Sequence, residues 1–302
     1  MSSAIFHKYI PQSYKGIFLY CSAILLFVVM DSIVKYANRT YEPLQVVWAR
    51  YFFHMLLLTL LLGPKLRLNL IRTSRLKLQV FRSMLLLGAT VSFFTALKYI
   101  PLADAGAMSS TSPLFVTVFS VFFLKEKISF RRWSAVLVGF IGALIILRPG
   151  FSEVHPAMFL VILMSIFYAS YQLATRKLAG VDSSYTTIFY TSLVGTVAMS
   201  FVVPFFWVQP DLFGWGMLML IGLIGGVSHF IIILAFSYTS AATVAPFSYV
   251  QLIWAGVIGY FAFGDLPDEY TVLGAAVIVC SGLYILYRER QINKVRQAIS
   301  SS

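Results

Sequence analysis

The sequence predicts an all-α integral membrane protein, with ten transmembrane helices forming two inverted five-helix repeats. Three observations lead there. Of 302 residues, 59% are hydrophobic and 11% are Asp, Glu, Lys or Arg, with a mean hydropathy of +0.84. An ordinary soluble domain has about 45–50% apolar and about 25% charged residues. Ten apolar runs follow one another, each near the ~20 residues that a bilayer-spanning helix requires. Two stretches of the chain also repeat each other at a fixed offset. So little polar surface cannot cover so large a soluble core. A cytosolic enzyme, a secreted disulfide scaffold and a disordered chain are therefore excluded.

The runs are 17–36, 44–63, 79–98, 103–124, 133–148, 156–174, 185–207, 213–237, 243–263 and 271–287. The fifth and tenth are short, and the gaps 98–103 and 237–243 leave room only for tight turns. Lys8 and Lys15 give the first run the outline of a signal peptide. It also carries Asp31 and Lys35 and lacks a small-residue cleavage pattern, so it reads as a retained helix. No segment between the runs is long enough for a soluble domain.

Orientation follows from charge. The chain holds 23 Lys and Arg against 11 Asp and Glu. Counted in alternate gaps, 17 basic residues fall on the side of the termini and 4 (Lys35, Arg39, Lys98 and Arg148) on the other. Arg50 and Arg82, inside or at the edge of runs, are left out of the count. The positive-inside rule then puts both termini in the cytoplasm. Anionic headgroups suffice as partners for these cations. Nucleic acid is not an expected partner, because no compact basic domain is present to hold it. Cys21 and Cys280 lie within the first and last runs and match neither a metal spacing nor a disulfide framework.

Residues 96–126 align with 235–265 at an offset of 139, pairing Ala96 with Ala235, Tyr99 with Tyr238, Ser109 with Ser248 and Glu126 with Asp265. After one inserted residue, Gly142 meets Gly282 and Arg148 meets Arg288. Each half (1–150 and 151–302) then holds five helices. The odd number makes the second copy enter the membrane from the other side. Inverted repeats with a site between them are an architecture of alternating-access transporters.

Ionisable groups inside a bilayer cost several kcal/mol, so each calls for a reason. Asp31 lies one turn before Lys35 on the same helix face, and Arg50 sits in the outer half of the second helix. One reading is a buried Asp31–Arg50 or Asp31–Lys35 pair that pins two helices. The other makes Arg50 an anchor for a carboxylate or phosphate, which its planar fork suits, and Asp31 a proton carrier. His54, four residues after Arg50, and His229 in the eighth helix are either satisfied buried imidazoles or proton-coupling groups. Neither belongs to a metal-ligand spacing.

Tyr168, Tyr171 and Gln172 lie on the sixth helix, with Gln172 at the repeat position of Asp31. Tyr190 lies on the seventh, the counterpart of the second. On the ninth, Tyr249, Gln251 and Trp254 follow Pro246; on the fourth, Ser109–Ser112 precede Pro113. Proline inside a helix frees carbonyls that a neighbour or a water-filled path must satisfy. Aromatic walls around few polar groups suit a flat, partly apolar ligand. Packing alone is the competing explanation for each tyrosine. Gly139, Gly142, Gly222 and Gly226 suit close helix approach. Glu126, between Lys125 and Lys127, is expected to order a turn.

The chain has no GxxxxGK[ST] phosphate loop, and no HExxH, GxSxG or paired-carboxylate site. No cofactor is expected, no enzymatic activity is indicated, and transport must draw on a gradient or on exchange. A non-transporting structural or receptor protein is the rival from another class.

The segment FFLKEKISFRRWSAVLVGFIGALIILRPG (122–150) resembles the fourth and fifth helices of EamA-type drug/metabolite transporters. APFSYVQLIWAGVIGYFAFGDLPDEYTVLGAAVIVCSGLYILYRER (245–290) is similar to their ninth and tenth. VVWARYFFH (46–54), with Trp48 and Arg50, resembles their second. The resemblance covers essentially the whole chain. It implies termini inside and a central cavity between the halves; the chain reads as a bacterial inner-membrane secondary transporter of a small organic metabolite, monomeric or dimeric, since one chain already holds both repeats. Family members export amino acids, related metabolites or metal-chelating small molecules, or import riboflavin or S-adenosylmethionine. APFSYVQLIW and FGDLPDEYTVLGAA are similar to the importing branches.

Overall fold

A computed structural model describes residues 12–125, 129–148, 155–178 and 181–300. Lys8, Glu126 and Lys127 lie outside the described residues. Ten helices are long and apolar enough to cross a membrane. They are span 1 (Tyr14–Ala37), span 2 (Pro43–Leu66), span 3 (Leu76–Leu97), span 4 (Leu102–Phe123) and span 5 (Phe130–Leu147) in the first half. Span 6 (Ala157–Arg176), span 7 (Ser184–Phe206), span 8 (Leu212–Tyr238), span 9 (Ala245–Phe263) and span 10 (Glu269–Arg288) form the second. Each agrees with one of the apolar runs to within a few residues. Successive spans run in opposite directions. One end of the bundle, where span 1 starts, is rich in Lys and Arg. The other, where span 1 finishes, carries Glu42, Asp265 and Asp268. We call these the basic and acidic ends.

The two halves do not stand apart. Span 1 lies along span 8, span 3 along spans 6 and 7, span 2 along spans 7 and 8, and span 5 along span 10. Glycine permits these approaches. A Cβ on Gly142 of span 5 would lie 2.8 Å from the Gly274 carbonyl oxygen of span 10. One on Gly274 would lie 2.5 Å from the Gly142 carbonyl oxygen. Such backbone-on-backbone crossings let helices pack without a hydrophobic drive between them.

Spans 4 and 9 are interrupted at equivalent places. Span 4 is helical over Leu102–Ser109, turns, and resumes as Ser112–Leu124, with Pro113 just inside the second piece. Span 9 opens as a 3₁₀ turn, Ala245–Tyr249, containing Pro246, and continues as Val250–Phe263. The repeat that pairs Ser109 with Ser248 therefore pairs the two breaks. The hydroxyls there turn back on the backbone: Ser109 donates to Gly106 O at 2.8 Å, Thr111 to Met108 O at 2.8 Å, Ser112 to Ser109 O at 2.7 Å and Ser248 to Ala245 O at 2.7 Å. The serine run before Pro113 thus satisfies carbonyls that an interrupted helix frees. Gln251 Nε2 donates to Ser109 Oγ at 3.4 Å, a long bond that joins one break to the other.

Candidate substrate site

The interior polar groups fall into two layers, each centred on an arginine. In the layer toward the acidic end, Arg50 of span 2 is 7% exposed and donates from Nη1 to Thr90 Oγ1 of span 3 at 2.7 Å. Thr90 uses its own proton on Leu86 O at 2.9 Å, so its oxygen must accept from both Arg50 and the Tyr51 hydroxyl, which lies 2.9 Å away. The guanidinium also faces the Tyr51 and Phe94 rings, 5.1 and 5.6 Å from their centroids. Its buried Nε has no hydrogen-bond partner.

Around Arg50 stand the other candidates. His54, four residues on and therefore on the same helix face, stacks on His229 of span 8, with ring centroids 5.6 Å apart and planes 8° off parallel. Phe27 of span 1 meets His229 edge-on at 5.0 Å. His54 Nε2 is buried without a partner. Asp31 is part-buried, and Arg50 is the charged group that acts on it most strongly. Among the described residues Asp31 forms no ion pair. Lys35 instead pairs with Asp265 at 3.6 Å and donates to Ile100 O at 2.7 Å. Of the two readings, the one with an Asp31–Arg50 or Asp31–Lys35 salt bridge is not met among the described residues. Lys35 lies one turn nearer the acidic end, within reach of a carboxylate from the loop after span 9.

The layer toward the basic end centres on Arg82 of span 3, which is 1% exposed. Its Nε donates to Thr175 Oγ1 at 2.7 Å, and its Nη1 to Thr187 O at 2.9 Å and Thr191 Oγ1 at 3.0 Å. Its Nη2 donates to the Tyr171 hydroxyl at 2.9 Å. Both threonines are oriented as acceptors because they donate to their own helices, Thr175 to Tyr171 O and Thr191 to Thr187 O. Tyr168 stacks on Tyr171 at 5.7 Å. It is 38% exposed, yet the groups acting on it are Tyr171, Tyr20 and Arg50, from three different spans. Gln172 is part-buried and makes no hydrogen bond among the described residues.

Several candidates lie elsewhere. Trp48 is two residues from Arg50, about 200° around the helix. It stacks on Phe52, meets Trp207 edge-on and donates to Ser200 Oγ at 3.0 Å in an aromatic group at the acidic end. Tyr190 donates to Ile71 O at 2.7 Å, in the connection between spans 2 and 3 at the basic end. Inversion is the reason. Equivalent positions in the two repeats face opposite ends of the membrane, so the counterpart of Arg50 lies at the wrong depth to join it. The same holds for Gln172 and Asp31. Tyr249 is buried against Gly282 of span 10, where a Cβ would overlap its hydroxyl. Gln251 is at the junction of spans 4 and 9, and Trp254 packs on the main apolar core.

Arg82 was missing from the sequence-derived candidates. The third apolar run begins at residue 79, which makes residue 82 look like an edge cation. The helix begins at Leu76, and the bonds to spans 6 and 7 draw Arg82 inside.

The two arginines do different work. A guanidinium has five N–H donors and cannot be deprotonated in a protein. Arg82 commits Nε, Nη1 and Nη2 to fixed protein acceptors. Arg50 has one fixed acceptor and an unpartnered Nε, beside an unpaired carboxylate and an imidazole with an unpartnered nitrogen. Arg82 is held as a structural tie, whereas Arg50 keeps a buried N–H without a protein acceptor.

Over 86% of its length the chain is 30% identical to the S-adenosylmethionine uptake transporter of Rickettsia bellii, covering 89% of that protein. It is 31% identical to the pseudopaline exporter of Pseudomonas aeruginosa (87% of this chain, 93% of that one). It is 29% identical to the riboflavin transporter of Vibrio cholerae (91% and 94%). A solved crystal structure shares the fold with a TM-score of 0.64 at 19% identity, over 89% of this chain and 96% of its own. The family model for EamA-like transporters matches twice, at residues 14–148 and 155–287, once in each five-helix half. With ten apolar spans in two halves, this multi-pass membrane protein belongs to the EamA-like transporter family.

Proposed function

We propose that this chain is an inner-membrane secondary transporter for a zwitterionic, amino-acid-derived metabolite of the S-adenosylmethionine kind. Halves 1–150 and 151–302 would alternate access to the Arg50 site. The observation that carries the reading is the pair of opposite charges, Arg50 and Asp31, which share the interior without an ion pair between them. Arg50 holds the carboxylate, for which its planar fork is suited. Asp31 faces the ammonium or sulfonium, and the Tyr168–Tyr171 pair offers rings for a flat base. A coupled proton would pass through Asp31 or the His54–His229 stack. The lopsided distribution of Lys and Arg, 17 against 4, supports termini in the cytoplasm.

The aromatic pair equally suits isoalloxazine, so riboflavin is the second reading. Labelled S-adenosylmethionine and labelled riboflavin are offered separately to bacterial cells that take up neither, with and without this protein. S-adenosylmethionine accumulation above the vector control, lost in Arg50→Ala at equal membrane abundance, is the expected result. Accumulation of riboflavin alone, indifferent to Arg50, would replace the zwitterion with the flavin. Accumulation of neither would point to export or to a different solute.

A further inference from the structure

The end of the bundle that is poor in cations gathers almost all of them in one place. Lys35, Arg39, Lys98 and Arg148 are the four basic residues that the sequence assigns to that side. Arg148 is paired with Asp268. The other three line a single pocket of about 520 Å³, together with Asn38, Tyr99, Phe263 and Asp265.

Three cations line the pocket against one carboxylate, and Asp104 also acts on Lys35. Asp265 is the one carboxylate among the lining residues and sits 3.6 Å from Lys35. Lys98 pairs with Glu42 at 3.2 Å at the rim. Arg39 has no ion pair among the described residues and rests over Tyr36 and Phe263, 5.4 and 5.6 Å from their centroids. Asn38 is 3% exposed. Its Nδ2 donates to Phe94 O at 2.7 Å, and its Oδ1 has no partner.

Lys35 and Asn38 of the pocket lie on the same face of span 1 as Asp31 of the Arg50 layer. Asp31, Lys35 and Asn38 follow at i, i+4 and i+7, one stripe along span 1. The Phe94 residue that Asn38 holds by its carbonyl presents its ring to the Arg50 guanidinium.

We propose that this pocket is an anion-receiving antechamber, which holds the solute's carboxylate on Arg39, Lys35 and Lys98 in transit between the acidic end and Arg50. It names a second binding site for the solute class argued above and rests on that transport reading. Lys35 and Asp265 come from opposite halves of the chain, so a carboxylate seated on Lys35 takes the place of Asp265 and loosens that contact between halves. The excess of cations over carboxylates in the lining favours an anionic counter-ion at the mouth.

The test reads the pocket itself in the full chain. Tyr99, 52% exposed, is replaced in Tyr99→Cys, with Cys21→Ala and Cys280→Ala as background and Val208→Cys as the reference at the same end. Each thiol is titrated with an anionic and a cationic methanethiosulfonate of similar size. The expected anionic-to-cationic rate ratio at Tyr99→Cys exceeds the reference about ten-fold and collapses when Arg39→Gln is added. A ratio equal to the reference, or one indifferent to Arg39→Gln, overturns the antechamber. Uptake of labelled S-adenosylmethionine by the unmodified chain separately tests the transport reading. If uptake fails while the ratio behaves as expected, the anion site stands and the assigned solute falls. If uptake proceeds and the ratio is flat, the converse holds.

Discussion

Arg82 Nη2 donates to the Tyr171 hydroxyl at 2.9 Å, fastening span 3 of the first half to span 6 of the second. The same side chain reaches Thr175, the Thr187 carbonyl and Thr191. One buried residue therefore ties the basic end of one repeat to two helices of the other. Arg82→Ala leaves those acceptors without their donor, and each buried unsatisfied polar group costs about 1–3 kcal/mol. The expected outcome is a thermal midpoint lowered by several degrees in detergent, together with lost transport. Arg82→Lys keeps the charge but replaces a planar fork with a point donor, so its midpoint should fall between the two. Equal midpoints for Arg82→Ala and the parent would refute the tie.

Asp182, in the connection between spans 6 and 7, secures the same end. Partial burial raises the pKa of its carboxyl. Hydrogen bonds outweigh that, from Thr73 Oγ1 at 2.5 Å, Gln79 Nε2 at 2.8 Å and the Ser74 backbone, and hold it below the usual carboxylate range. A depressed folded-state pKa stabilises the fold above the unfolded value, about 3.9 for Asp. That stabilisation is lost as pH falls through the folded value. Asp182→Asn should therefore melt below the parent at neutral pH, with the gap closing as the medium is taken below about pH 4. Thermal scans of both proteins from pH 7 to 3 measure this, and a gap that widens on acidification would contradict it.

The ten spans and their order are legible because hydropathy alone fixes them. The paired breaks in spans 4 and 9 are legible because proline and serine mark them chemically. Depth and facing are another matter. The sequence places Trp48 beside Arg50, yet two residues along a helix turn the side chains apart. It also equates Tyr190 with the Arg50 region, yet inversion sends the equivalent position toward the opposite end of the membrane. Arg82 hides at the margin of an apolar run, because a window that scores hydrophobicity ends where a buried cation begins. Nothing in the spacing of Asp31, Lys35 and Arg50 says that Lys35 will choose Asp265, a residue more than two hundred positions away.

The crossing of spans 5 and 10 depends on two glycines that face each other. A methyl on either would meet the other's carbonyl oxygen at 2.8 or 2.5 Å, against backbone that cannot swing aside. Gly142→Ala and Gly274→Ala should each lower the melting temperature and the membrane abundance. Gly256→Ala, where the added carbon meets nothing within 4 Å, should leave both unchanged. If Gly142→Ala melts like Gly256→Ala, the close crossing of spans 5 and 10 is refuted.

Arg50 and Asp31 make the sharpest separation between architecture and transport. If the two formed a buried salt bridge, removing one partner would strand the other and destabilise the protein by about 3–5 kcal/mol. They do not pair, and Arg50 keeps Thr90 as its one fixed acceptor. Arg50→Ala should therefore reach the membrane at the parent's level, melt within a few degrees of it, and transport nothing. Arg50→Lys restores a charge without the fork and should recover a minor fraction of the rate at a raised half-saturation concentration. Asp31→Asn removes the countercharge for a cationic group and should weaken a zwitterionic solute more than its deaminated analogue. Membrane abundance, melting and initial uptake rates measured together on the three variants decide the matter. If Arg50→Ala loses abundance and uptake in parallel, Arg50 is a structural group and the ligand site must be sought on the Tyr168 side.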